Sequence, residues 1–157
     1  METTMTQVDI IDFAPEYRAD FARLNAEWMT TYFGKAVDDH LDNPEQSVIR
    51  NGGFILFAKS NDEIVGTCAI LKESNKRYEI ADMVVAPQHR GKHIGKRLLS
   101  AAVEKVRHAG ARQVYLITSS RLTISVELYR TYGFREVSVD GASVYQGSDV
   151  KMVLNLK

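Results

Sequence analysis

Apolar and polar positions along this chain follow two periods. In "QVDIIDF" (7–13) they alternate, which predicts a first strand. Past Pro15, the residues Phe21, Leu24, Trp28 and Tyr32 recur at helical spacing and predict a long amphipathic helix ending near Gly34. "KAVDDHLDNPEQSVIRN" (35–51) keeps neither period and reads as one or two short helices or a loop. "GGFILFAKS" (52–60) and "EIVGTCAILK" (63–72) are β-prone runs joined by a tight turn at Asn61-Asp62, a hairpin signature. "RYEIADMVVA" (77–86) is a further strand. From Ile94 to Ala109, the residues Ile94, Leu98, Leu99, Ala102, Val103 and Val106 share one face and Gly110 stands where a helix would stop. "RQVYLIT" (112–118) reads as a buried strand and "RLTISVELYRTY" (121–132) as a helix ended by Gly133. "FREVSV" (134–139) and "DVKMVLNL" (149–156) read as a closing pair of strands.

The order is strand, helical region, three strands, helix, strand, helix, two strands. It predicts an α/β chain with a central mixed (α+β) sheet of six to seven strands flanked by about four helices. The helix between "RYEIADMVVA" and "RQVYLIT" requires those two strands to run parallel through a right-handed crossover. No repeat or linker interrupts residues 1–157, which predicts a single domain.

Composition narrows the classes. The chain is 45% hydrophobic and 25% charged, ordinary globular values. Lys+Arg and Asp+Glu both total 20, so overall charge favours neither nucleic acid nor an anionic membrane surface as a partner. Cys68 is the single cysteine, which excludes an intrachain disulfide and a cysteine zinc site. "METTMTQVDI" lacks the pattern of a signal peptide, and no run approaches the ~20 apolar residues of a membrane span, so the expected location is the cytoplasm.

Positive charge is concentrated in one place. "PQHRGKHIGKR" (87–97) lies where a strand hands over to a helix. A helix N-terminus offers unpaired N–H groups and a partial positive charge, a natural seat for phosphate. Arg90, Lys92, Lys96 and Arg97 add cations, and Gly91 and Gly95 permit close backbone approach to a ligand. Neither G-x-x-x-x-G-K-[ST] nor an early G-x-G-x-x-G is present, which disfavours a P-loop and a Rossmann site. His40, His89, His93 and His108 form neither H-x-x-H nor H-E-x-x-H, so no metal is expected.

"VVAPQHRGKHIGKRLL" (84–99) resembles the acetyl-CoA signature (Q/R)-x-x-G-x-(G/A) of the GNAT superfamily of N-acetyltransferases, and "ELYRTYGFREV" (127–137) resembles its L-Y-x-x-x-G-F element. The two are ordered and spaced as in the family. Read from Arg90, the signature places His93 where a glycine usually stands; in the later helix, Leu122 and Ser125 replace a usual Asn and small residue.

The resemblance implies a GNAT-like acyl-CoA N-acyltransferase fold. It implies acetyl-CoA as cosubstrate, no metal, and transfer of the acetyl group to the primary amine of a small molecule. Backbone N–H groups of Met83, Val84 and Val85, on a strand that splays from its neighbour, would bind the thioester carbonyl and the pantetheine arm. Arg90, Gly91, Lys92, His93, Ile94, Gly95 and Lys96 would bind the diphosphate. Tyr129 matches the family's general acid, with Tyr132 packing at the helix end, and Glu79 matches its base. Strict alternation puts Glu79 and Ala81 on one strand face and Ile80 and Asp82 on the other, so one acid alone would face the cleft, and Glu79 is preferred in a partly apolar setting that raises its pKa. Trp28, Tyr32 and Phe33 would wall the acceptor, Trp28 also serving the core, with Asp38, Asp39 or His40 available for a cationic amine. A non-catalytic acyl-CoA-sensing module and a protein or peptide N-acetyltransferase are the alternatives, and a homodimer through the closing strands is open.

Overall fold

The computed structural model describes residues 8–33, 43–138 and 149–156; the side chains of residues 29–33 lie outside the description. Seven strands form one mixed sheet: β1 (Val8–Asp12), β2 (Phe54–Ser60), β3 (Glu63–Lys72), β4 (Arg77–Val85), β5 (Gln113–Thr118), β6 (Arg135–Val137) and β7 (Val150–Asn155). Their spatial order is β1-β2-β3-β4-β5-β7-β6. Helix α1 (Arg18–Phe33) lies on one face, and α2 (Ile94–His108) and α3 (Thr123–Tyr132) lie on the other. A π-helical turn at Glu45–Ile49 falls in the stretch without period. Among the described residues, no helix is long and apolar enough to cross a membrane.

Local chemistry explains the elements. Asn61 and Asp62 have φ of 50° and 71°, the pair of left-handed residues that a two-residue hairpin turn requires. All six residues on the apolar face of α2 are buried, each stabilising by about 1.5–3 kcal/mol relative to exposure for the larger side chains. The helix stops where Ala111 N–H donates to Val106 O at 2.9 Å and Gly110 N–H donates to Arg107 O at 3.0 Å. That double closure needs the left-handed φ of +91° at Gly110.

Two cores sit on the two faces. One joins α2 and α3 to the sheet through Leu98, Leu99, Val126, Phe134, Cys68 and Ile80; the other joins α1 and the π-helical turn through Phe21, Leu24, Val48, Phe57 and Val84. Strand β4 serves both cores through alternation of its side chains, and its pairing with β3 slips between Ala69↔Asp82 and Ile70↔Ile80, leaving Ala81 as a bulge. Tyr78 and Ile80 before the bulge, and Met83 and Val85 after it, all pack on the α2 side. Val84 and Ala86 pack on the α1 side. The strict alternation expected through Asp82 is therefore corrected: Asp82 opposes Ala69 and shares the α1 face with Glu79, which opposes Leu71.

Candidate active site

Strands β4 and β5 run parallel and pair only at Arg77↔Gln113, Tyr78↔Val114 and Glu79↔Tyr115. Beyond Glu79 they part, and β4 continues on β3 alone as far as Gly66↔Val85. Ala86 N–H donates to Val65 O at 2.8 Å. The two-residue period of an antiparallel ladder then turns the Val84 N–H toward β3 as well, and the Met83 and Val85 N–H groups toward the opening. Of the three backbone donors expected there, Met83 and Val85 have the required direction.

At the end of this opening lies a cleft of about 460 Å³. Met83, Val84 and Val85 form its floor, Arg90, Gly91, His93, Ile94, Gly95 and Lys96 one wall, and Arg121, Leu122, Thr123, Ile124, Ser125 and Leu128 the other. Trp28 and His89 close its α1 side, so Trp28 both lines the cleft and packs against the α1 core. His89 Nε2 lies 3.7 Å from Glu63 Oε1.

The first wall is a backbone site. His93 caps α2 at φ 63° and ψ 18°, no side chain accepts from the first turn, and that turn holds no acidic residue. Arg97 N–H makes the bond to His93 O at 3.1 Å, so the N–H groups of Ile94, Gly95 and Lys96 have no intrahelical acceptor. A Cβ at Gly95 would lie 3.5 Å from Leu128 Cδ2 and 3.9 Å from Val85 Cγ2, filling the space between α2 and α3. At Gly91, φ is +81° and a Cβ would meet nothing within 4 Å. Open donors, a cradle that a Cβ would fill, and the cations Arg90 and Lys96 fit a diphosphate. Arg90 is steadied by its Nε donating to Val85 O at 3.3 Å. Two expected cations stand apart: Lys92 is not among the lining residues, and Arg97 donates to Val8 O at the edge strand.

Tyr129 takes another position. It is 6% exposed, lies in the α2/α3 core with its ring 5.9 Å edge-on from Phe134, and does not line the cleft. Burial, reinforced by Cys68, pushes its phenol well above the ordinary range and holds it protonated. The neighbouring Cys68 thiol is likewise pushed up by burial and then by Asp82. Tyr132 packs at the helix end, 6.3 Å from Phe134.

The surroundings of Glu79 are polar, against the partly apolar setting expected. Tyr115 OH lies 3.3 Å from Glu79 Oε1 and 3.4 Å from Glu73 Oε1. The Arg77 guanidinium stacks 4.0 Å from the Tyr115 ring centre and pairs with Glu73 at 2.7 Å. Burial, then the two carboxylates, raise the Tyr115 phenol. Glu79 thus closes the paired end of β4 and β5 instead of lining the cleft, whereas Asp82, beside Met83, stands at the parted end.

The side chains of Tyr32 and Phe33, and residues Asp38, Asp39 and His40, lie outside the described residues. Sequence reasoning touched the second wall only at Leu122 and Ser125, as departures from the family pattern, and missed its other residues. Its one signal is Ile124, an apolar residue off the repeat that buries Val126 and Tyr129.

Among protein families, residues 16–134 match the Acetyltransferase (GNAT) family. Streptothricin acetyltransferase of Streptomyces lavendulae is 33% identical over 90 residues, covering 57% of this chain and 47% of that protein. The chain spans about half the length of the curated relatives it matches first. Among solved structures, a GNAT-family acetyltransferase of Staphylococcus aureus Mu50 superimposes with a TM-score of 0.83 at 22% identity, over 96% of this chain and 100% of that one. A Salmonella typhimurium structure solved with its cofactor acetyl-CoA gives 0.79 at 19% identity, over 96% and 94%.

Proposed function

Because the chain belongs to the acetyltransferase (GNAT) family, we propose that it transfers an acetyl group from acetyl-CoA to the primary amine of a small molecule. The observation carrying this reading is the parting of β4 from β5 beside an uncapped helix start: backbone donors for a thioester and donors for a diphosphate open into one cleft. Acetyl-CoA supplies the activated acyl group. The first turn of α2, with Arg90 and Lys96, holds the diphosphate. The Met83 and Val85 N–H groups donate to the carbonyl oxygen as it gains charge, a contribution typically worth ~10²–10³ in rate per donor.

The new C–N bond forms as the C–S bond breaks, so one proton must leave the amine and one must reach the departing sulfur. Glu79 and Asp82 share the α1 face. We assign them to the acceptor side, where a carboxylate takes the amine proton directly or through water. Tyr129, kept protonated by burial and set beside Cys68, whose pairing partner Met83 lines the cleft, is our candidate donor to sulfur. A small-molecule acceptor is supported by the likeness to the streptothricin enzyme; the acceptor's chemistry itself is what the experiment decides.

That experiment is thiol release from acetyl-CoA across a panel of primary amines, amine-bearing antibiotics and peptides. The expected result is turnover with small amines and a Tyr129→Phe variant losing turnover much more than acetyl-CoA affinity. Tight acetyl-CoA binding without release on any acceptor would overturn catalysis in favour of a sensing module, and release confined to peptides would overturn the small-molecule reading.

A further inference from the structure

Side chains of β5 and β7 alternate about the sheet. Val114 and Leu116 of β5, and Val150 and Met152 of β7, join the α2/α3 core, so Tyr115, Ile117, Lys151 and Val153 face the α1 side. Among the described residues, the α1 core takes nothing from β5, β6 or β7. The α1 side of these three strands therefore lies outside that core, next to the opening between β4 and β5. The apex of the opening on this side is the last pair, Glu79↔Tyr115. Past it, Asp82 stands on the β4 lip, with Ile117 and its pairing partner Lys151 on the other.

Two cations flank the Tyr115 ring, Arg77 at 4.0 Å and Lys151 Nζ at 5.2 Å from its centre. They are used differently. Arg77 Nη1 pairs with Glu73 at 2.7 Å and its Nε donates to Gln113 Oε1 at 2.6 Å. Lys151 has apolar neighbours on both sides, Ile117 on β5 and Val137 on β6, and the ring is the one contact of its ammonium among the described residues. An acid across the strand would stabilise such a lysine; two aliphatic side chains stand there instead. The ring steadies a long side chain and leaves its N–H donors open.

We infer that Lys151 seats an anionic group of the acceptor, so that the amine substrate carries a carboxylate or phosphonate near its amine, the anion on Lys151 and the amine toward Glu79 and Asp82. This rests on the acetyltransferase reading above. A plain amine leaves the ammonium unanswered and a plain anion meets the carboxylates, whereas a molecule with both charges matches both lips.

The test is thiol release at saturating acetyl-CoA with acceptors matched in length but differing in the anion: alanine, β-alanine and 4-aminobutyrate each against its amide, and 2-aminoethylphosphonate against propylamine, with rates referred to the unprotonated amine. In the wild-type protein, kcat/KM should favour the anionic member of at least one pair by about tenfold, the size of one charge-assisted hydrogen bond, and by less at high salt. Which pair shows it tells a carboxylate from a phosphonate. Lys151→Gln should erase the preference through a higher KM for the anionic member, and Lys151→Arg should restore most of it, with acetyl-CoA affinity in calorimetry the same in all three proteins. No preference in the wild type, or a preference that survives Lys151→Gln, would overturn the inference while leaving the acetyltransferase reading intact. Thiol release with none of these acceptors and none of the broader amine panel would overturn that reading, and the inference with it.

Discussion

Two turns face each other across the cleft and are built in opposite ways. The turn before α2 leaves its donors open: no side chain caps the helix, and His93 bends the chain through a left-handed conformation so that successive N–H groups point outward. The turn before α3 uses its donors internally, on Ser119 and on Asp149, which lies 29 residues from Ser120. A site made of backbone restricts which residues fit, so it leaves glycines and a short motif in the sequence. A site made of side chains clasped from a distance leaves no local pattern.

The comparison breaks most severely at Gly95. Gly95→Val adds branched methyls between Leu128 and Val85, and overpacking of this kind typically costs about 1–3 kcal/mol. Coenzyme A affinity should fall by about one to two orders of magnitude in calorimetry with the circular dichroism spectrum kept; unchanged affinity would remove the cradle. Next comes Arg90→Ala, expected to weaken coenzyme A about tenfold and pantetheine much less if, as we propose, the side chain serves the diphosphate. Equal loss for both would place Arg90 elsewhere in the mechanism.

The opposite turn is sharpened by pH. Ser120 holds the Asp149 carboxyl below its ordinary value, chiefly through the hydroxyl's hydrogen bond and then through the backbone one. A depressed folded pKa gives stability that is present above the unfolded value of about 3.9 and is lost as pH falls through the folded value. The stability difference between wild type and Asp149→Asn in urea melts should therefore be full at pH 6 and shrink below pH ~4. A gap constant down to pH ~2.5 would mean that the clasp does not depend on charge. The smallest effect is expected at His93. A non-glycine residue in the left-handed region costs about 1–2 kcal/mol, and glycine's extra chain entropy returns about 0.5–1 kcal/mol of that. His93→Gly should raise stability by roughly 0.5–1 kcal/mol, read as a higher melting temperature; a lower one would show that the imidazole makes a contact that outweighs the strain.

Elements whose cause is local were legible. The face of α2, the Asn61-Asp62 turn, the Gly110 stop and the parallel crossover all follow from neighbours in the chain. The conformation of the turn that we assign to a diphosphate was legible for the same reason. The acids were not, because pairing with β3 creates the slip at Ala81 and nothing in "EIADMVV" announces it. Burial was not legible at Tyr129, whose place in "ELYRTYGF" says which helix it rides but not that Phe134 would fold over it. The network around Glu79 arises from Glu73, Arg77 and Tyr115 on separate stretches, which meet only once β4 and β5 align.

The slip at Ala81 gives β4 a change of parity. Upstream, even-numbered residues look toward α2; downstream, odd-numbered ones do. A point substitution at Ala81 leaves that inversion in place, and deleting Ala81 would set Asp82 directly after Ile80 in the pairing with β3, removing the bulge with Val84 still on the α1 side and Met83 and Val85 still on the α2 side. Losing this one residue is therefore a milder change than losing any paired residue of β4, which would turn every following side chain to the other face.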